Sequence, residues 1–300
     1  MKVGVIMGGI SSEREVSLNS GEEVFAAFDK DKYDVVKIQI DKMDDLAKAK
    51  DLDFAYLVLH GRFGEDGMVQ SVLESYGVPY TGSGPMSSAL CMDKDMTKRI
   101  LKSEGINTAP WHSVTSVDEI DYDYVEEIGY PVVVKPNCGG SSVATNIVKS
   151  KELLADAVEL AFQFDNEVII EKFVKGDEIS CCILEDKVVA VVLIKHNAEF
   201  FDYEAKYKDS GTEETVVQFP DELHNKIVDM ANKCWKVCKC KVMGRVDMII
   251  KDGVPYVLEL NTLPGHTKGS IFPKGVKGAG ISYEEMLERI VQASLKVKRK

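Results

Sequence analysis

The 300-residue chain has no long apolar run; its hydrophobic stretches stop after a few residues, far short of the roughly 20 needed to span a bilayer. It has no excess of positive charge either. Lys and Arg total 37 against 49 Asp and Glu, a formal net charge of −12, which disfavours general affinity for a nucleic-acid backbone. A phosphate ligand would have to be held locally, by a few lysines and backbone amides, against the global field. Repeats, low-complexity tracts and flexible linkers are absent. The start, Lys2 then Val3–Met7, has too short an apolar part for a signal peptide and runs into Ser11-Ser12-Glu13-Arg14-Glu15. The expectation is a cytoplasmic protein without membrane or nucleic-acid partners.

Two common nucleotide signatures are also missing. Gly8-Gly9-Ile10-Ser11-Ser12-Glu13 follows a strand and opens a helix but lacks G-x-G-x-x-G spacing, and Asp29 is in the wrong context for a ribose-binding acid, which disfavours a nicotinamide dehydrogenase. No Walker P-loop occurs. The seven cysteines (Cys91, Cys138, Cys181, Cys182, Cys234, Cys238 and Cys240) are odd in number and partly adjacent, so reduced thiols are expected. Cys234, Cys238 and Cys240 fall in a helical pattern without a partner pair or histidine, which favours buried thiols over a metal cluster.

With 45% hydrophobic and 29% charged residues the composition is that of an ordinary globular protein, long enough for two or three domains. The first hundred residues alternate strand and helix signals: strands at Val3–Met7 and Phe54–Leu59, a helix through Val24 and Phe28, and another near 68–76. This is a βα pattern with loops gathering at strand carboxyl ends. A helix near 93–104 leads to strands at Trp111–Val114 and 130–136, then Val143–Val148, a helix at 151–162 and a strand at Glu167–Val174. Strands at Glu178–Leu184 and Val188–Ile194, a polar aromatic loop at 196–215 and a helix at 221–239 follow. Soft borders near 90 and 178 suggest domains 1–90, 91–178 and 179–300.

The richest segment is Gly244 to Gly265, GRVDMIIKDGVPYVLELNTLPG. Two β-type runs, Val246–Ile250 and Tyr256–Leu260, flank the turn signal Lys251-Asp252-Gly253-Val254. Glu259 and Asn261 are two apart, so in a strand both leave the same face. Asp247 joins them only if it lies opposite Glu259. A strict two-residue turn pairs it with residue 258 instead, so a three-residue loop or a bulge is required. Arg245 would stand beside them, on the opposite face or at the rim. Two carboxylates and an amide oxygen suit magnesium; an amphipathic hairpin with solvated acids is the alternative. Glu259 interrupts an apolar run, where an unpaired carboxylate is expensive to bury.

Other segments carry further signals. Lys135 ends a strand before Asn137-Cys138-Gly139-Gly140-Ser141-Ser142, a loop whose glycines admit an anion close to the backbone, although a glycine-rich turn also makes an ordinary hairpin. Glu13 fits a helix cap better than a site for a cationic substrate group, His60 a loop position or a base, and Tyr203-Glu204-Ala205-Lys206-Tyr207 either a surface cluster or a lid.

Taken together, Lys94, Lys135, the 137–142 loop, Lys206 and the Asp247/Glu259/Asn261 face resemble the α/β ATP-grasp superfamily. The finer resemblance, over essentially the whole chain, is to the D-alanine–D-alanine ligases. It is carried by GGISSEREVSLNSG (8–21), LHGRFGEDG (59–67), PYTGSG (79–84), MDK (92–94), VVKPNCGGSSV (133–143), EKFVKGDE (171–178), FFDYEAKY (200–207), GRVD (244–247) and LELNTLPGHT (258–267). The resemblance implies three α/β subdomains, with ATP held between the central and C-terminal ones. It implies that Asp247, Glu259 and Asn261 hold two Mg2+ (or Mn2+), and that Lys94, Lys135 and Lys206 neutralise phosphate. Glu171, Lys172, Phe173 and Val174 would line the adenine and Glu178 hold the ribose. Glu13 would take the first D-alanine's ammonium, with Ser141 and Tyr207 in the same network and His60 nearby. Arg245 and the Gly265 amide would stabilise an oxyanion, and Ser270 would hold the second D-alanine's carboxylate. A homodimer and a lid at 200–207 are implied as well.

The chain departs from the family pattern at several points. A charged residue is expected before the second glycine of the loop and glycine in place of Ala144. Phe173, Leu263 and His266 stand where tryptophan, serine and methionine are frequent. The rival readings are a relative joining D-alanine to D-lactate or D-serine, and a catalytically silent nucleotide-binding regulator.

Overall fold

A computed structural model of the chain describes residues 1–140, 143–195 and 212–299. β1 (Lys2–Gly8) is the middle strand of a parallel three-stranded sheet, between β2 (Asp34–Ile40) and β3 (Phe54–Leu57). β1 is buried almost throughout, as expected of a parallel strand covered on both faces, and α1 (Arg14–Ala27) packs against it. The continuous apolar runs of β1 and β3 are legible as strands. β2 is not, because Asp34, Lys37 and Gln39 leave a half-exposed edge with only Ile38 and Ile40 buried. α2 (Met68–Tyr76) stops at Gly77 (φ 69°), and α3 (Pro85–Met92) carries proline in its first turn. α4 (Lys94–Ser103) follows at once, its N-terminus capped by Asp93, which accepts from Met96 N at 2.9 Å.

The second sheet is antiparallel: β4 (Trp111–Val114), β5 (Val132–Pro136), β6 (Asn146–Val148) and β7 (Val168–Lys172), in the order β4-β7-β5-β6. α5 (Tyr122–Ile128) and α6 (Leu154–Phe162) share its core with Val125, Val134, Val158 and Ile170. The strand expected over Val143–Val148 is shorter, because Ala144 adopts φ 54° and breaks the extended run. That left-handed backbone explains why glycine is favoured at this position.

The third sheet is also antiparallel, in the order β10-β9-β8-β11-β12: β8 (Asp177–Leu184), β9 (Lys187–Lys195), β10 (Glu213–Val216), β11 (Met243–Lys251) and β12 (Val254–Asn261). α7 (Asp221–Val237) buries Ile227, Ala231, Cys234 and Trp235 against it. α8 (Ile271–Gly278) and α9 (Tyr283–Leu295) cover the other side, and Phe272 and Ile290 merge there with the core around β1 and β3. All seven cysteines are free and all but Cys138 are buried, as the expectation of reduced thiols requires.

The β11–β12 hairpin decides where the acidic face lies. Lys251 pairs with Val254 across a two-residue Asp252-Gly253 turn with φ 52° and 74°, the type I′ conformation. The register runs to Met248–Val257 and then slips, leaving Leu258 as the extra residue and setting Asp247 opposite Glu259. Of the two devices expected, the bulge is the one used. Arg245 pairs with Asn261 and lies two residues from Asp247, so it shares the acids' face rather than taking the opposite one.

This hairpin tolerates no side chain at Gly244, where an added Cβ would come within 2.6 Å of both Asn261 O and the Trp235 ring. Gly244→Ala should therefore destabilise the fold by about 1–3 kcal/mol in denaturant unfolding, the usual cost of overpacking. A change below about 0.5 kcal/mol would mean that β11 and α7 part more easily than their packing indicates.

Candidate active site

Four loops converge on one cavity of about 360 Å³. Glu13 reaches it from the start of α1, and His60 and Glu65 from the loop after β3. Lys94 arrives from α4, Gly139 and Gly140 from the loop after β5, and Glu259 and Asn261 from β12. Gly265 and Ser270 close it, with Arg245 behind.

Glu13 occupies the N-cap position of α1, yet its side chain makes no capping bond. This corrects the capping assignment. Its carboxylate is enclosed by glycines instead: a Cβ on Gly61 would meet Glu13 Oε2 at 2.9 Å, and one on Gly140 would meet it at 3.1 Å. Ser11 Oγ donates to His60 O (2.7 Å) and accepts from Glu13 N (3.2 Å), tying the loops after β1 and β3 together. The loop after β5 is held by Asn137, whose amide donates to Asp93 (2.9 Å) and Glu167 (3.0 Å) and accepts from Asp95 N (2.8 Å). Lys94 Nζ donates to Gly139 O at 2.6 Å and lies 3.5 Å from Glu259 Oε2, so one ammonium links the glycine loop to the acidic strand.

Asp247 sits behind the cavity wall. It accepts from Ser180 Oγ (2.6 Å), Arg245 Nη2 (2.8 Å) and Asn261 Nδ2 (2.9 Å). Burial opposes the charge of Arg245, but Asp247 outweighs it and keeps the guanidinium firmly protonated. Burial holds His60 neutral, its pKa lowered to about 4 with Arg245 adding to the effect. Glu65 is pushed the other way. Burial first, then the nearby Glu13, raises its carboxyl to about 8, although it accepts from Gly61 N at 2.6 Å.

At the far end, Gly265 is pressed so close to Ser270 that an added Cβ would meet its Oγ at 2.8 Å. Ser270 Oγ lies 2.8 Å from Thr267 Oγ1. His266 is buried and neutral; its Nδ1 bonds Pro264 O at 2.6 Å, and Tyr283 donates to its carbonyl at 2.5 Å. Its ring fills core space against Tyr56 and Phe272.

Among the described residues, the other expected ones do not line this cavity. Lys135 on β5 is bonded to Glu171 on β7, and the same carboxylate contacts Lys98 Nζ at 2.8 Å. Burial alone would raise the Glu171 carboxyl, but the two lysines reverse this and hold it at about 2. Lys172 turns away to donate to Gly129 O at 2.7 Å, while Phe173 N donates to Pro131 O and Val174 is buried. Glu178 lies on β8 opposite Ile249 and Ile194. Ser141, Lys206 and Tyr207 lie outside the described residues.

Three participants escaped sequence reasoning. Glu65 lies within LHGRFGEDG (59–67), a segment in which only His60 was given a role. Ser180 reaches Asp247 only because those residues pair across β8 and β11. Lys98 carries a signal in its spacing, one helical turn after Lys94 on the same face.

The chain matches the family model described as D-ala D-ala ligase C-terminus over residues 100–292, and that described as D-ala D-ala ligase N-terminus over residues 2–46 and 41–83. It is 59% identical over 300 residues, all of both chains, to a D-alanine–D-alanine ligase from Clostridium botulinum strain Hall. It is 56% identical, again over all of both chains, to D-alanine–D-alanine ligase A from Clostridium perfringens. Among solved structures, the Bacillus anthracis D-alanine–D-alanine ligase complexed with ATP superposes with a TM-score of 0.90 at 46% identity, covering 99% of this chain and 98% of that one.

The raised carboxyl of Glu65 gives a pH signature. A group whose folded-state pKa rises from 4.5 to about 8 contributes stability that is complete below about pH 4.5 and lost as pH rises through about 8. Glu65→Gln removes this titration. Between about pH 5 and about pH 8 the melting temperature of the unmodified protein should therefore fall relative to the variant. Parallel melting curves over that range would mean that Glu65 ionises normally.

Proposed function

The chain belongs to the D-alanine–D-alanine ligase family, an ATP-dependent ligase that joins two D-alanines for peptidoglycan synthesis, and on that premise we propose how its residues divide the work. The observation that carries the assignment is the bulge at Leu258. It lines up Arg245, Asp247, Glu259 and Asn261 on one face of the hairpin, at the cavity that also receives Glu13, His60, Gly265 and Ser270.

A carboxylate is a poor electrophile, so a carboxylate oxygen of the first D-alanine attacks the γ-phosphorus of ATP, forming an acyl phosphate and releasing ADP. The protein's part is to position groups and balance charge. Glu13, enclosed by Gly61 and Gly140, holds the ammonium of the first D-alanine, with His60 alongside as a neutral group. Lys94 and Lys135, joined by Lys206, balance phosphate charge. The segment Glu171–Val174 and Glu178 take the adenosine between the parts of the chain spanning 91–178 and 179–300. Ser270 anchors the carboxylate of the second D-alanine. Its amine attacks the acyl carbon after losing a proton, and phosphate leaves. Arg245 and the Gly265 amide face the negative charge that develops on the tetrahedral oxygen. Ser141 and Tyr207 complete the network around Glu13, and a lid over 200–207 excludes water from the acyl phosphate.

Asp247, Glu259 and Asn261 would hold two magnesium or manganese ions, which would supply positive charge to offset the negative charge of the ATP phosphates. The donor set fits hard cations. Asn261 turns its nitrogen to Asp247, so a half-turn of the amide presents oxygen and leaves Asp247 Oδ2 with one donor fewer. Ser180 and Arg245 keep the carboxylate oriented meanwhile. A homodimer and a cytoplasmic setting belong to the same reading.

The test is phosphate release from ATP and magnesium, with and without D-alanine, with mass spectrometry on the product. D-alanine-dependent release yielding the dipeptide is expected. ATP binding without such turnover would sink the assignment, and preference for D-serine or D-lactate as second substrate would revise the Ser270 site. Glu259→Gln should lower turnover by about 100-fold or more with little loss of melting temperature, since losing a metal ligand costs several kcal/mol in the transition state. Undiminished turnover in that variant would refute the metal assignment.

A further inference from the structure

Lys98, on α4, is 1% exposed, and its ammonium is held on three sides: it donates to Thr108 Oγ1 (2.7 Å) and Ala109 O (3.1 Å) and contacts Glu171 Oε2 at 2.8 Å. The Trp111 ring lies 5.3 Å away on a fourth. Glu171 turns its other oxygen to Lys135. Two ammoniums thus share one carboxylate in a cluster whose side chains are 1%, 4% and 12% exposed, for Lys98, Glu171 and Lys135 respectively. Among the described residues neither lysine forms an ion pair with a second carboxylate.

The cluster therefore carries one surplus positive charge in a setting where uncompensated charge is costly. Lys135 is its most accessible member, so that is where an anionic ligand can reach the surplus. The ammonium of Lys98 is spent on fixed protein oxygens and cannot swing out. The same anchor extends to the acidic strand: Thr108 Oγ1 donates to Val257 O at 3.0 Å, and Val257 N donates to Asn107 O at 2.9 Å, two residues from Glu259.

We propose that Lys98 is a positioning residue for nucleotide binding: by sharing Glu171 with Lys135, it leaves the Lys135 ammonium an unneutralised donor for an ATP phosphate. This rests on the ligase reading of the site. Without Lys98, Glu171 would neutralise Lys135 one for one and draw its ammonium inward. Lys98 touches no substrate in this scheme and acts entirely through Glu171.

The charge balance makes a prediction that a merely structural role does not. In the full-length protein, Lys98→Met should raise KM for ATP about tenfold while KM for D-alanine stays within about twofold. The Glu171 carboxylate is committed to the two lysines, so its share in holding adenine falls to the main chain. Lys98→Met/Glu171→Gln, which removes the carboxylate that now quenches Lys135, should therefore bring KM for ATP back to within about threefold of the unmodified protein. If Lys98→Met does not fold, Lys98→Gln takes its place, because it removes the charge but keeps a donor toward Thr108 and Ala109. Unchanged KM for ATP in a folded Lys98→Met variant, or a double variant still about tenfold impaired, overturns the proposal. An unmodified protein that releases no phosphate with D-alanine would instead overturn the ligase reading, and the two failures are distinct.

Discussion

One slipped residue between β11 and β12 organises the site. With the Asp252-Gly253 turn and an unbroken ladder, Asp247 would face residue 258 and the two acids would point to opposite faces of the sheet. The bulge at Leu258 restores the alignment, so Arg245, Asp247, Glu259 and Asn261 share one face. Much of the surrounding packing keeps that register in place. Trp235 and Asn261 close on Gly244, Ser180 meets Asp247 across β8, and the 107–108 segment bonds Val257 on the outer edge of β12.

The second constraint is charge. The chain is acidic as a whole, at −12, yet its centre must receive a polyanion. The structure meets this by pairing its buried charges unevenly. Arg245 is matched to Asp247, whereas Lys98 and Lys135 divide a single Glu171. Around the cavity, acid is set against acid: Glu13 lies close enough to Glu65 to help push the Glu65 carboxyl to about 8, so at neutral pH the two need not both be charged. Neutral His60 and His266 add polarity without adding charge. On the proposed division of work, the site is cationic where phosphate would sit and anionic where the ammonium would.

Much of the fold was legible because its strands are continuous apolar runs and its turns are spelled out by glycine. β1, β3, β8, β9, β11 and β12 all fall where the pattern puts them. β2 was not legible, since its mixed polar face gives neither alternation nor a continuous apolar run, and β6 was overextended because the φ of Ala144 leaves no trace in composition. In the site, the shared face of Glu259 and Asn261 followed from two-residue spacing, and the length of the turn called for either a longer loop or a bulge. The face of Arg245 was written in the same two-residue spacing from Asp247, although the expectation put it on the opposite face or at the rim. The absence of a cap from Glu13 was not written there, because it depends on which neighbour the side chain finds.

The boundary lies between local and long-range information. The acidic hairpin, the lysine-ended strand, the glycine loop and the family they resemble can all be read from the chain, since each is written in neighbouring residues. The folded arrangement alone makes two lysines share Glu171, pushes Glu65 toward neutrality through burial and the nearby Glu13, and lets Lys94 join Gly139 to Glu259. Those are contacts between segments tens to well over a hundred residues apart. A buried charge takes its state from whatever the fold brings within a few ångströms, and spacing along the chain does not encode that.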